Sequence, residues 1–273
     1  DQFKLNSEAK NKNVGVFPDC GLAPGMTSVL SAHLVSQLAR VDTLKIRVGG
    51  LPLEPRTPLN YMLVFSVHGL INEYLEDAVI LEDGRIKMVS SMTDVEELEF
   101  PRPFGLLEAF NTSGGTSTLP YTFENTISYL DYKTIRYPGH CHIMKAMLDL
   151  GFAGEENMRF GSSELSKREV FEQILSPPLQ YESDDVVLIR VTASGQKSGS
   201  RKTLQLQAVE FGDEENGLTA MMGTTAFPAT IILQMLMENR ITDRGVLYQE
   251  KSIPTALFLE ELERRNIRFE ILD

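Results

Sequence analysis

Segments of strand length crowd the middle of this 273-residue chain. Short apolar runs at 43–48, 61–65, 78–81, 86–90, 95–100 and 105–110 follow one another, and 129–137 alternates apolar with polar residues. Runs of this length and period belong to strands. Asp83-Gly84 between two of them is a hairpin turn. Residues 186–193 and 203–211 form a longer hairpin around SGQKSGSR. Helices are expected between and after. Met26, Leu30, Leu34 and Leu38 fall four apart on one face, and 143–151 is a helix closed by Gly151. Ser166 and Glu169 make a capping box, with Leu165 and Val170 as its hydrophobic staple. Residues 227–240 are a helix with Pro228 in its first turn, apolar on nearly all sides and so expected to be buried. Ser252 caps a last helix with Glu260/Arg264 and Glu261/Arg265 pairs. Even strand–helix alternation would build a parallel sheet. This clustered order predicts α+β instead, a mixed, largely antiparallel sheet covered by helices.

Composition narrows the function. The chain carries 26 basic and 38 acidic residues, a formal charge of -12. Phosphate contacts dominate nucleic-acid affinity, so DNA and RNA are disfavoured as partners. Two cysteines, Cys20 and Cys141, are too few for a disulfide scaffold and suit a reducing, cytoplasmic location. No signal peptide is found, and no apolar run long enough to cross a bilayer. The first residue is Asp1 in place of Met, which points to a fragment or a processed product.

VFPDCGLAPG (16–25) is a strand-to-helix corner. Ligands in α/β sheets bind where strands end, and the free N–H groups of the next helix favour anions there. Asp19 and Cys20 are candidates on that ground. The alternative is a capping turn, with Asp19 closing backbone donors and Cys20 as a small buried residue. NTSGGTST (111–118) offers hydroxyl and backbone N–H groups after an apolar strand, or is simply a flexible polar turn. Arg136 beside a turn has the planar fork that grips a carboxylate with two bonds, or pairs with a surface acid. His140, Cys141 and His142 are adjacent and cannot all face one ion, so no metal is expected. Cys20 with His140 as nucleophile and base lacks a surrounding motif. Gly49-Gly50 and Gly114-Gly115 lack dinucleotide spacing, so no nucleotide fingerprint is present.

Six stretches together resemble the saccharopine dehydrogenase-like family, on the branch of lysine 6-dehydrogenase and carboxynorspermidine dehydrogenase. They are PDCGLAPGM (18–26), RVGGLP (47–52), SVHGLINEYL (66–75), FNTSGGTSTLPYT (110–122), KTIRYPGH (133–140) and TTAFPATI (224–231). The resemblance implies a C-terminal domain like that of glyceraldehyde-3-phosphate dehydrogenase. Residues 1–25 would be the tail of an N-terminal Rossmann domain otherwise absent. Residues 26–226 would bind substrate and form a homodimer, and 227–273 would return towards the Rossmann side.

The implied reaction is hydride transfer between an amino-acid amine, such as that of lysine or saccharopine, and NAD or NADP held mainly by the absent domain. The chain alone is then expected to be inactive. Arg136 would take the substrate carboxylate, and Thr112, Ser113, Gly114, Gly115 and Thr116 would close on the substrate. Glu73 would meet the amine end. Asp19 would steady the ammonium or iminium, and His140 would carry a proton. Cys20 and Gly21 would line the nicotinamide pocket. The competing classes are a non-catalytic oligomerisation or binding module and a Cys/His hydrolase.

Overall fold

The computed structural model describes residues 2–272, apart from the side chain of Phe160. The helices are α1 (Asn6–Asn11), α2 (Met26–Ser36), α3 (Val67–Leu75), α4 (Leu119–Phe123), α5 (His140–Asp149), α6 (Lys167–Leu179), α7 (Ala220–Met237), α8 (Gln249–Ser252) and α9 (Thr255–Glu263). The early strands are β1 (Gly15–Val16), β2 (Arg40–Pro52), β3 (Ala78–Glu82), β4 (Arg85–Val89), β5 (Glu96–Phe100), β6 (Gly105–Asn111) and β7 (Tyr129–Arg136). The later ones are β8 (Asn157–Phe160), β9 (Ser163–Ser166), β10 (Asp185–Lys197), β11 (Ser200–Phe211), β12 (Gly245–Val246) and β13 (Glu270–Leu272).

The main sheet has nine strands in the order β13-β11-β10-β2-β7-β3-β4, with β6 on β7 and β5 on β6. Only β2 and β7 pair in parallel within it. The class is α+β with a mostly antiparallel sheet, as the clustered strands predict. One face packs on α2, α7 and α9 through Leu30, Leu44, Ile46, Leu130, Ile189, Ile231 and Phe258. The β5–β6 hairpin covers part of the other face, where Phe100, Leu107 and Ile135 meet Leu51 and Leu188. A third cluster joins α3, α5 and α6 through Ile71, Met144 and Phe171.

β7 is the strand that places the site. Its side chains alternate across the sheet. Asp131 and Lys133 point to one face, while Tyr132, Thr134 and Arg136 point to the other, into a cavity.

Several local expectations need correction. Residues 61–65 form no strand. Tyr61 is fully buried against α3 and α5, and the Leu63 N–H donates to Leu179 O, so these apolar side chains pack without sheet pairing. α7 begins at Ala220, not at 227, so Pro228 lies inside it. Its start is fixed elsewhere: Thr219 accepts from Met222 N, and the Asp185 carboxylate accepts from Ala220 N and Met221 N. Only one face of α7 is buried, and Leu233 and Met237 are exposed. By length and hydropathy α7 is also long and apolar enough to cross a bilayer, contrary to the expectation of no such run. Its Ile231, Ile232 and Met235 lie in the core against the sheet. Ser252 closes α8 and does not cap α9, whose N-cap is Pro254. Arg265 pairs with Glu261 as expected, but Arg264 also turns to Glu261. The capping box of Ser166 and Glu169 on α6 is present.

Candidate functional site

The corner at 16–25 is built by backbone geometry. Asp19 has φ 60, and Gly25 has φ 134 as the N-cap of α2. A Cβ on Gly25 would lie 2.1 Å from Gly21 O, so only glycine fits there. The corner meets the hydroxyl loop where Ser117 Oγ donates to Asp19 Oδ2 at 2.5 Å. The C-terminal segment clamps both. Gln249 Nε2 donates to Pro18 O and Asp19 O at 2.7 and 2.6 Å. Glu250 accepts from Thr118 and Thr122. β12 also pairs in parallel with β1.

Below this clamp lies a cavity of about 780 Å³. One face of α3 contributes Gly69, Asn72 and Glu73, spaced three and four apart as helix geometry requires. β2 contributes Val48, Gly49 and Gly50; β7 contributes Tyr132, Thr134 and Arg136; the start of α7 contributes Met221 and Thr225. Of the candidate residues, Asp19, Gly21, Glu73, Ser113, Gly114 and Arg136 line this one space.

The others lie outside it. Thr112 is buried behind the wall. Thr134 Oγ1 donates to Glu73 Oε1 at 2.6 Å, so Thr112 Oγ1 donates to Thr134 Oγ1 at 2.7 Å. Gly115 backs onto Tyr132, where a Cβ would come within 2.3 Å of the ring. Thr116 Oγ1 pins the loop to Val79 O. Cys20 Sγ donates to Phe17 O, and burial and the Asp19 charge push its thiol up to about 11. Such a thiol is protonated at neutral pH, which removes the basis for the Cys/His hydrolase.

His140 requires the largest correction. It is 1% exposed and does not reach the cavity. Its Nδ1 is 2.9 Å from Leu59 O and its Nε2 is 3.0 Å from Tyr74 Oη. Burial, then the Arg136 charge, lowers its pKa to about 3. A group so placed does not exchange protons with a substrate at neutral pH.

Arg136 is 3% exposed and keeps its charge. Nε donates to Tyr74 Oη at 2.9 Å and Nη1 to Ile135 O at 2.9 Å. Its Cζ lies 4.7 Å from the Tyr61 ring centroid. Among the described residues it has no ion-pair partner, and Nη2 has no hydrogen-bond acceptor. Tyr61, Tyr74, Tyr132 and Thr134 join this surrounding without a motif of their own in the sequence. The alternation of β7 carries the signal for Tyr132 and Thr134. Nothing local marks Tyr61 or Tyr74.

Among the described residues, no group of three or more His, Cys, Asp or Glu could hold a metal ion. Two of the cavity glycines, Gly49 and Gly50, lie against the protein's own atoms, while Gly114 is open, with nothing within 4 Å of where a Cβ would stand. A Cβ on Gly49 would lie 2.5 Å from Ile135 O, and one on Gly50 would lie 2.5 Å from Met221 Cε. Both glycines are taken up by packing within the protein.

The family model described as the saccharopine dehydrogenase C-terminal domain matches residues 21–267. The chain belongs to this family. The saccharopine dehydrogenase [NADP(+), L-glutamate-forming] of Pyricularia oryzae is 20% identical over 337 aligned positions, covering 96% of this chain and 74% of that protein. Among solved structures, the apo saccharopine dehydrogenase (L-Glu forming) of Saccharomyces cerevisiae matches with TM-score 0.77 and 16% identity, covering 99% of this chain and 77% of that one. The homospermidine synthase of Legionella pneumophila, solved in complex with NAD, matches with TM-score 0.63 and 11% identity, covering 100% and 67%. At these identities the two structural likenesses speak for the fold.

Proposed function

We propose that this chain is the substrate-binding part of an NAD(P)-dependent oxidoreductase acting on the amine of an amino acid such as saccharopine or lysine. The observation that carries this reading is Arg136, a buried guanidinium on a cavity wall with no ion-pair partner among the described residues. Burying a charge without a contacting counter-ion is costly, and Glu73 acts on Arg136 only through space, so a ligand carboxylate is its natural contact partner. Glu73 and Asp19 line the same cavity and suit an ammonium or iminium. Together these groups match a zwitterion.

Bound NAD or NADP would accept the hydride as amine becomes imine. It would be held mainly outside these 273 residues, since Gly49 is backed by Ile135 and the glycine doublets lack dinucleotide spacing. Gly21, with Cys20 behind it, would face the nicotinamide side. The chain's own residues orient the substrate: Arg136 holds the carboxylate, and Glu73, fixed by Thr134 and Thr112, holds the amine end. The segment at 249–250 closes the corner and the hydroxyl loop over them. The protein would act as a homodimer, which sedimentation of the chain would check.

Calorimetric titration with L-saccharopine and L-lysine, and fluorescence titration with NADH and NADPH, test the reading. Binding of an amino acid that Arg136→Lys weakens sharply is expected, because lysine lacks the bidentate fork. Binding unaffected by that change would remove Arg136 from the substrate site. Tight binding of NADH or NADPH would place a dinucleotide site within this chain and overturn the division of labour.

A further inference from the structure

His140 and Tyr74 do not touch the cavity, yet they meet Arg136 in a single hydrogen-bonded row. The direction of every bond in that row is fixed by its two ends. Leu59 O only accepts, so the His140 Nδ1 carries a hydrogen. In a neutral ring Nε2 is then bare and must accept, so Tyr74 Oη donates its proton to it. The remaining lone pairs of Tyr74 Oη accept from Arg136 Nε, which only donates. With a neutral ring, no other arrangement satisfies all three contacts. A protonated His140 would turn Nε2 into a donor facing Tyr74 and set a second positive charge beside Arg136.

The surroundings hold the row in place. Tyr61, Tyr74 and Phe110 box the imidazole, with ring centroids 5.3, 5.8 and 6.4 Å away. The backbone carrying it is anchored at the start of α5, where the Glu108 carboxylate accepts from Gly139 N and Cys141 N at 2.9 and 2.7 Å. The far end, Leu59, belongs to the same irregular segment that brings Val64 and Phe65 to the cavity wall.

We propose that His140 and Tyr74 are positioning residues for Arg136: the row from Leu59 O through His140 and Tyr74 locks the guanidinium by its Nε edge and leaves Nη2 for an anionic end of the ligand. This rests on the carboxylate reading of Arg136. The row couples the segment at 59–65 to the anion site, so wall and guanidinium move together. A long charged side chain held this way loses little rotamer freedom when its ligand arrives.

Two measurements on the 273-residue chain test it. The first needs no ligand. Nitrogen NMR of the ring should show His140 as the Nδ1–H tautomer, not titrating between about pH 5 and 8. The Arg136 Nε–H signal should be protected from exchange, and Tyr74→Phe should expose it. The second uses L-saccharopine as probe in calorimetry. Tyr74→Phe keeps the ring and removes one oxygen, and should weaken binding about tenfold. His140→Gln, whose amide can still accept from Tyr74, should recover part of that loss relative to His140→Phe.

An Nε2–H tautomer, a titrating His140, or unchanged saccharopine affinity in folded Tyr74→Phe would overturn the row. If the unaltered protein does not bind saccharopine, the substrate reading fails, and the Nε–H signal decides. Exposure of that signal by Tyr74→Phe then supports the row, and its persistence refutes it.

Discussion

Arg47 on β2 and Arg136 on β7 are equally buried, each 3% exposed, but one sits among carboxylates and the other among rings. Arg47 donates to both oxygens of Asp131 at 2.8 Å and pairs with Glu96, which also takes Lys133. Its planar fork is fully used, and its charge is answered within the protein. Arg136 has Tyr61, Tyr74 and a neutral His140 around it and no ion-pair partner among the described residues. The two arginines serve opposite faces of the sheet, since on β7 Asp131 points to Arg47 and Arg136 points to the cavity. What differs is who supplies the anion. On the first face the sequence supplies it, and the group serves the fold. On the second it is left to a ligand, and the group serves binding.

The comparison breaks most sharply if Asp131 is removed. Asp131→Ala leaves Arg47 buried with only the half-exposed Glu96, and should cost about 3–5 kcal/mol in urea unfolding. Replacing both partners by apolar residues, Arg47→Met with Asp131→Leu, should recover most of it. A single change at Asp131 that leaves stability intact would mean the pair is not fold-bearing. Arg136→Met should act differently. It strands no charged partner in contact with it, only the neutral Tyr74 Oη and Ile135 O, so the urea midpoint should fall far less than with Asp131→Ala, while saccharopine affinity falls about a hundredfold. If Arg136→Met destabilises as much as Asp131→Ala, both arginines are structural and the distinction fails.

Local order was legible in the sequence, but the surroundings of neither arginine were, since Arg47 meets Asp131 from 84 positions away. The alternation of β7, the Asp83-Gly84 turn and the capping box at Ser166 each depend on neighbours a few positions apart. The corner at Asp19 and the candidate Arg136 were legible as residue types beside turns. The aromatic cage was not, because Tyr74 meets Arg136 from 62 positions away. Glu73 and Tyr74 are adjacent in sequence, yet the turn of α3 sends one to the cavity and the other into the third core cluster. His140 misled for the same reason. Its ordinary pKa suits proton transfer, and only burial against Leu59, Tyr74 and Phe110 makes it inert. The apolar run at 61–65 has strand composition but forms none, because packing against helices and pairing in a sheet draw on the same residues.

Acid should separate the two faces by window. His140 has a folded pKa of about 3, lowered first by burial, against about 6.5 when unfolded. The unfolded chain therefore binds a proton that the folded one refuses, and stability falls as pH drops below about 6.5. His140→Gln should remove up to about 1.4 kcal/mol per pH unit of that slope between about pH 4.5 and 6. An identical slope in the variant would mean that His140 is not held neutral.

The smallest effect should come from Glu96, and it should come later in the same titration. Burial pushes its carboxyl up, but the Arg47 hydrogen bond and the charges of Arg47 and Lys133 outweigh this and hold it below the usual carboxylate range. A depressed folded value means a contribution present above the unfolded pKa of about 4.3 and lost as pH falls through the folded one. Glu96→Gln should therefore cost about 1 kcal/mol at neutral pH, and the gap from the unaltered protein should close only below about pH 4. Because Glu96 is partly exposed and Asp131 keeps its two bonds to Arg47, the loss should stay well short of that from Asp131→Ala. If the gap instead closes near pH 6, burial outweighs Arg47 and Lys133 at Glu96, and the first face does not answer its own charges.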